Sequence, residues 1–173
     1  MDEMALRSVN ACVSTSQPFR VNGNACVIEV PGFWYHQTRV YRQQVLETGS
    51  LSYIDGGTND TALPPNRLGG PVVNYVHFPA GMYQTLHTHP SQRIGMVLGG
   101  KGKIELNHNQ YHYLNEGEVF SMDRNELHNF ICEDDSDVTL FVWAPDSGSG
   151  PTDEVNPLQA RTYIGQARPG KNA

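Results

Sequence analysis

Residues 81–90 read Gly81-Met82-Tyr83-Gln84-Thr85-Leu86-His87-Thr88-His89-Pro90. Taken as a strand, the segment alternates faces with period two, so His87 and His89 point one way and Leu86 and Thr88 the other. Two neutral nitrogen donors on one rigid face make half a metal site. The other half is expected from His128, a lone histidine in Asn125-Glu126-Leu127-His128-Asn129-Phe130, whose alternation sets it on the face of Phe130 and Cys132. An imidazole among apolar neighbours is costly to bury unless one ring nitrogen is coordinated and the other donates to an acceptor.

Working outward, Gly81, His87, His89, Arg93 and Gly100 stand in the spacing G-x5-H-x-H-x3-R-x6-G, and Gly117, Asp123, Asn125, His128 and Cys132 in the spacing G-x5-D-x-N-x2-H-x3-C. This resembles the two motifs of the cupin superfamily, over roughly residues 71–144. The chain departs from the pattern where Arg93 takes the place of the usual metal-binding glutamate. Asp123 replaces a proline, Asn125 a turn glycine and Cys132 an asparagine. The resemblance implies an all-β fold, a double-stranded β-helix or jelly-roll barrel, holding one divalent metal ion.

The pattern of short β-rich runs agrees with that fold independently. Candidate strands are 25–30, 37–46, 72–78, 84–89, 94–98, 102–106, 110–114, 118–122, 127–132 and 138–143, with Asn107-His108-Asn109 as a hairpin tip. Helical periodicity is almost absent, which favours a barrel or jelly roll over an α/β domain. The expected organisation is residues 1–70 as N-terminal strands with a loop packed on the barrel, 71–144 as barrel core, and 145–173 as a tail. Gly49 to Gly70, rich in Gly, Asn, Asp and Pro, reads as a surface loop or a lid over the barrel mouth.

Composition narrows the partners. With 173 residues and 38% hydrophobic content the chain suits one sizeable core. Its net charge of −6 provides no basic stripe for nucleic acid and opposes an anionic membrane surface. The longest apolar run, 138–144, is strand-sized and well short of a membrane span, and no signal-like segment follows the acidic start. A cytoplasmic protein is the expectation. Cys12, Cys26 and Cys132 are odd in number and lack C-x-x-C spacing, so they read as buried thiols.

Arg93 is the position that bears most on chemistry. A guanidinium has no lone pair for a metal, so it cannot replace a carboxylate ligand. Either Gln92 supplies an amide oxygen as a fourth ligand, or three histidines suffice and an inward Arg93 grips an anionic substrate group, balanced otherwise by Glu105 or Glu118. A bulge turning Arg93 to solvent is the remaining option. Imidazole sets suit several metals: iron(II) is expected first, with zinc, nickel or manganese as alternatives. The resemblance implies a non-haem iron dioxygenase acting on a small anionic or enolisable substrate. An isomerase, lyase or polyketide-type cyclase, in which a tyrosine or Glu118 moves protons, is the second option, and a non-catalytic ligand-binding protein the third. The remaining histidines, His36, His77, His108 and His112, read as structural, with His77 the best candidate to support the site. A homodimer paired through edge strands of residues 20–46 is the assembly the resemblance implies.

Overall fold

A computed structural model describes residues 11–32, 38–42, 47–67, 69–107 and 109–147. Within them the chain forms β1 (Ala11–Ser14), β2 (Arg39–Arg42), β3 (Leu51–Ser52), a 3-10 turn at Ile54–Gly56, β4 (Thr58–Leu63), β5 (Val72–Phe78), β6 (Arg93–Gly100), β7 (Gly102–Leu106), β8 (Gln110–Leu114), β9 (Val119–Met122), β10 (His128–Cys132) and β11 (Val138–Ala144). Every strand pairing is antiparallel. A six-stranded sheet runs β3-β4-β5-β11-β6-β9, a three-stranded sheet runs β10-β7-β8, and β1 pairs with β2.

Alternation along the central strands explains the layering. Val76 and Phe78 of β5, Val97 of β6 and Val138 and Leu140 of β11 meet Ile104 of β7, Leu114 of β8 and Phe130 and Cys132 of β10 in one buried cluster. The two sheets therefore face each other across a shared core, as in a jelly roll. The opposite face of the large sheet is covered in turn, with Tyr75, Ala62 and Leu98 packed beneath Tyr41 and Phe141. That double coverage is why β5 and β11 read as nearly continuous apolar runs rather than strict alternations.

Closure between β6 and β7 depends on Gly100. Its φ of +92° and a Cβ position 1.7 Å from the Asp137 carbonyl oxygen exclude any side chain there. Asn125, in the place of a turn glycine, adopts φ 61°, a left-handed conformation that Asn tolerates better than most residues.

Several expectations are corrected. Residues 49–70 are not a lid: they contain β3, the 3-10 turn and β4, and β4 is an integral strand paired with β5. Residues 25–30 form no strand, and 84–89 form no regular one. The 37–46 run is represented by β2, its last four residues lying outside the described set. His36 and His108 also lie outside it, although Asn107 and Asn109, with φ of 44° and 72°, turn the β7–β8 hairpin where a tip was expected. No helix among the described residues is long and apolar enough to cross a membrane.

Candidate metal centre

Residues 82–87 run antiparallel to β10 with a slipped register. Tyr83 pairs with Ile131, but His87 pairs with His128, so one extra residue is accommodated between the two bridges. Side-chain amides bridge the slip: Asn129 Nδ2 donates to the Gln84 carbonyl at 2.9 Å, and the Phe130 N–H donates to Gln84 Oε1 at 3.3 Å. Beyond the slip, His87 and His128 exchange two backbone hydrogen bonds of 3.0 Å each. Directly opposed residues project to the same face, so the pairing aligns the two imidazoles. His89 joins them because it lies two residues on, and its carbonyl is held by the Asn125 N–H at 2.8 Å.

The possible ligand atoms of His87, His89 and His128 all lie within 4.8 Å of one another, with His87 and His128 buried and His89 partly so. The outer nitrogen is assigned for two of them. Nδ1 of His87 lies 2.8 Å from the Thr85 carbonyl and Nδ1 of His128 lies 2.8 Å from the Glu126 carbonyl. A carbonyl can only accept, so each Nδ1 carries the proton and each Nε2 keeps its lone pair. That is the donor set a divalent metal requires, and the residues present fit one. Support continues outward, because Asp55 of the 3-10 turn accepts from the Thr85 N–H at 2.8 Å and from the Thr85 hydroxyl at 3.1 Å.

His87 and His89 border a cavity of about 240 Å³. That size suits a small molecule. Its walls include Val76, Phe78, Met122, Phe130, Leu140 and Val142, with polar groups from Asn59, Asn74, Gln84, Arg93 and Asp146. Arg93 is therefore part of the wall. Its Nη1 donates to the Ser91 carbonyl at 2.9 Å, the Ser91 hydroxyl at 2.6 Å and the Gln92 carbonyl at 3.1 Å. Burial lowers the pKa of the guanidinium, opposed by the nearby Asp146 and Tyr53, and the group stays charged. The acid beside it is Asp146, which accepts from the Ser91 hydroxyl at 2.7 Å, not Glu105 or Glu118.

The other named residues fall elsewhere. Gln92 is exposed and its amide nitrogen donates to Ser121 Oγ at 3.0 Å. Glu118 is exposed and accepts from the Asn115 N–H at 2.9 Å in the turn before β9, so it has no place in the cavity. Glu105 is fully buried but bonds Tyr83 Oη at 2.9 Å and the Asn109 N–H at 3.2 Å. His77 supports the outer side of the sheet through Asp137 at 2.8 Å rather than the histidine cluster. Conversely, Asp55, Asn59, Asn74, Gln84 and Asp146 were not singled out from the sequence. Only Gln84, within the first motif, carried a positional hint.

Residues 74–144 match the cupin domain family model. Among solved structures, a cupin-like protein from Thermotoga maritima is 21% identical, with 65% of this chain and 93% of that chain covered at a TM-score of 0.54. The polyketide cyclase RemF from Streptomyces resistomycificus is 18% identical, with 69% and 89% covered at a TM-score of 0.53. At these identities the likeness is one of fold. Among curated proteins nothing matches the chain.

Proposed function

We propose, from the premise that this chain is a cupin whose domain spans residues 74–144, that it is a metal-dependent enzyme acting on a small anionic or enolisable substrate, with dioxygenation at iron(II) as its reaction. The observation that supports this best is the convergence of His87, His89 and His128 within 4.8 Å beside an apolar cavity, with no acidic residue in the cluster among the described residues. When bound, a divalent ion would supply Lewis acidity toward a substrate oxygen and, as iron(II), the electrons that dioxygen chemistry needs. Three neutral imidazoles do not offset the ion's charge, which favours a negatively charged partner. Arg93 adds to that preference: its hydrogen bonds to Ser91 and Gln92 all use Nη1, which leaves Nε and Nη2 as a fork suited to a carboxylate or enolate. The apolar wall takes the carbon body of the substrate and excludes water.

A second reading is a non-redox isomerase, lyase or cyclase. Tyr53 and Asp146 border the same cavity and give it proton-carrying groups that Glu118 does not. The polyketide cyclase named above has the same fold, in keeping with that chemistry. Elemental analysis of protein purified without added metal, followed by oxygen-electrode assays, tests both. One equivalent of metal is expected, with most of it lost in each of His87→Ala, His89→Ala and His128→Ala. Unchanged metal in all three variants would falsify the centre. Turnover that persists without oxygen would discard the dioxygenase and select the second reading. Arg93→Lys should raise KM while leaving metal content unchanged, because charge without the fork is a poorer match for a planar anion.

A further inference from the structure

The wall of the cavity contributed by the large sheet holds buried amides with nothing to bond. Asn59 is 1% exposed and Asn74 6% exposed, and both border the cavity that His87, His89 and Arg93 border. Nδ2 and Oδ1 of Asn59, and Oδ1 of Asn74, are buried and have no hydrogen-bond partner among the described residues. Most buried polar groups in folded proteins are paired, so three such atoms together require an account.

Strand register explains why they act together. Asn59 pairs with Val76 and Thr61 pairs with Asn74, so Asn59 and Asn74 are diagonal neighbours on one face. Diagonal positions lie about 7 Å apart, close enough for both amides to reach one inserted group, and the two do not bond each other in this structure. Val76 and Val142, opposite or beside them, are apolar, while Thr61, the cross-strand partner of Asn74, adds a hydroxyl to the same patch of the cavity wall. The ladder already occupies the backbone of β4 and β5, leaving the amides to serve something in the cavity.

We infer that Asn59 and Asn74 form a subsite for a neutral hydroxyl group at the end of the substrate remote from Arg93. A hydroxyl donates and accepts at once, so it can accept from Asn59 Nδ2 while donating to Asn74 Oδ1. No cation is needed there, and among the cavity residues the cationic one is Arg93. Arg93 lies on β6, separated from Asn74 on β5 by β11, a lateral distance of about 10 Å at about 4.8 Å per strand. The substrate class is thus a compact acid with an apolar middle, its anionic end toward Arg93 and a hydroxyl at the far end. This assignment rests on the proposed function for the anionic end, but not for the hydroxyl end.

The test uses the whole protein and two probe pairs measured by calorimetry: benzoate against 4-hydroxybenzoate, and methyl benzoate against methyl 4-hydroxybenzoate. The hydroxylated member of each pair should bind at least tenfold more tightly. Asn59→Leu and Asn74→Leu should reduce that ratio to within twofold and leave metal content unchanged. Because each removes an amide that is unbonded in the free protein, each should also melt at or above the wild-type temperature. Equal binding within both pairs, a preference retained in both variants, or a lower melting temperature in both would overturn the subsite. Failure of the metal reading has a different signature. It shows as absent metal, or as equal binding of acids and esters, with the hydroxyl preference intact.

Discussion

The Asp55–Thr85–His87 relay can be tested with a single side chain. Asp55 accepts two hydrogen bonds from Thr85, whose carbonyl in turn faces His87 Nδ1. Asp55→Gly removes both bonds and suits the local φ of 57°. Bonds to a charged acceptor are each worth about 1.5–3 kcal/mol, and since Asp55 is exposed the lower figure applies, or about 3 kcal/mol for the pair. Relief of the left-handed backbone returns about 1 kcal/mol, leaving a net loss of about 2 kcal/mol. Asp55→Asn, which retains one neutral bond, should lose about half as much. Groups that orient metal-binding histidines typically alter affinity by 10–100-fold, and acting through Thr85 places Asp55 near the lower bound, about tenfold. Urea denaturation of metal-free protein measures the first quantity and competitive metal titration the second. If both variants lose the expected stability while metal affinity stays within twofold of wild type, Asp55 fastens the loop without orienting His87, and the relay is refuted.

Other expectations concern the scaffold. Gly100→Ala should fail to give folded protein, or lose more than about 4 kcal/mol by denaturation, because its Cβ would overlap the Asp137 carbonyl; a normal melting curve would contradict the positive φ. Burial pushes the Cys132 thiol up to about 12, so iodoacetamide at pH 8 should label it in denaturant but not in the native protein, as read by mass spectrometry. For Asp60, burial raises the pKa but bonds from Ser50 and from Tyr41 outweigh it and hold the carboxyl below its ordinary value of 3.8. Its stabilisation is therefore fully present above that value and disappears as pH falls through the lowered pKa. Asp60→Asn should accordingly be less stable than wild type at pH 7 and match it at pH 2; a pH-independent gap in melting temperature would count against it.

The histidine cluster and most of the strands were legible because both depend on short-range periodicity. β7 and β8 fall where the sequence placed them, 102–106 and 110–114, since a hairpin carries its register in its own turn. β4 was illegible for the opposite reason. Thr58-Asn59-Asp60-Thr61 is polar on both faces, Asp60 bonding outward to Tyr41 and Ser50 and Asn59 pointing to the cavity, so no hydrophobic alternation announced a strand. Gln92 and Glu118 were placed from spacing alone, whereas the path of the chain at the start of β6 and before β9 turns both to solvent. Asp146 lay in a segment read as tail, and its link to Arg93 through Ser91 spans 55 residues between Ser91 and Asp146, a separation that local pattern does not encode.

The slipped register between the Tyr83–Ile131 and His87–His128 bridges leaves one residue of this segment unmatched across the ladder. Deleting one residue between Tyr83 and His87 would restore an even ladder and keep His87 opposite His128, on the same face. A single insertion between His87 and His89 would instead break their period of two and turn His89 away from the other imidazoles, dismantling the centre without changing the chemistry of any side chain in it. Length is thus negotiable before His87 and fixed between the two histidines, a restriction that substitution experiments alone would never reveal.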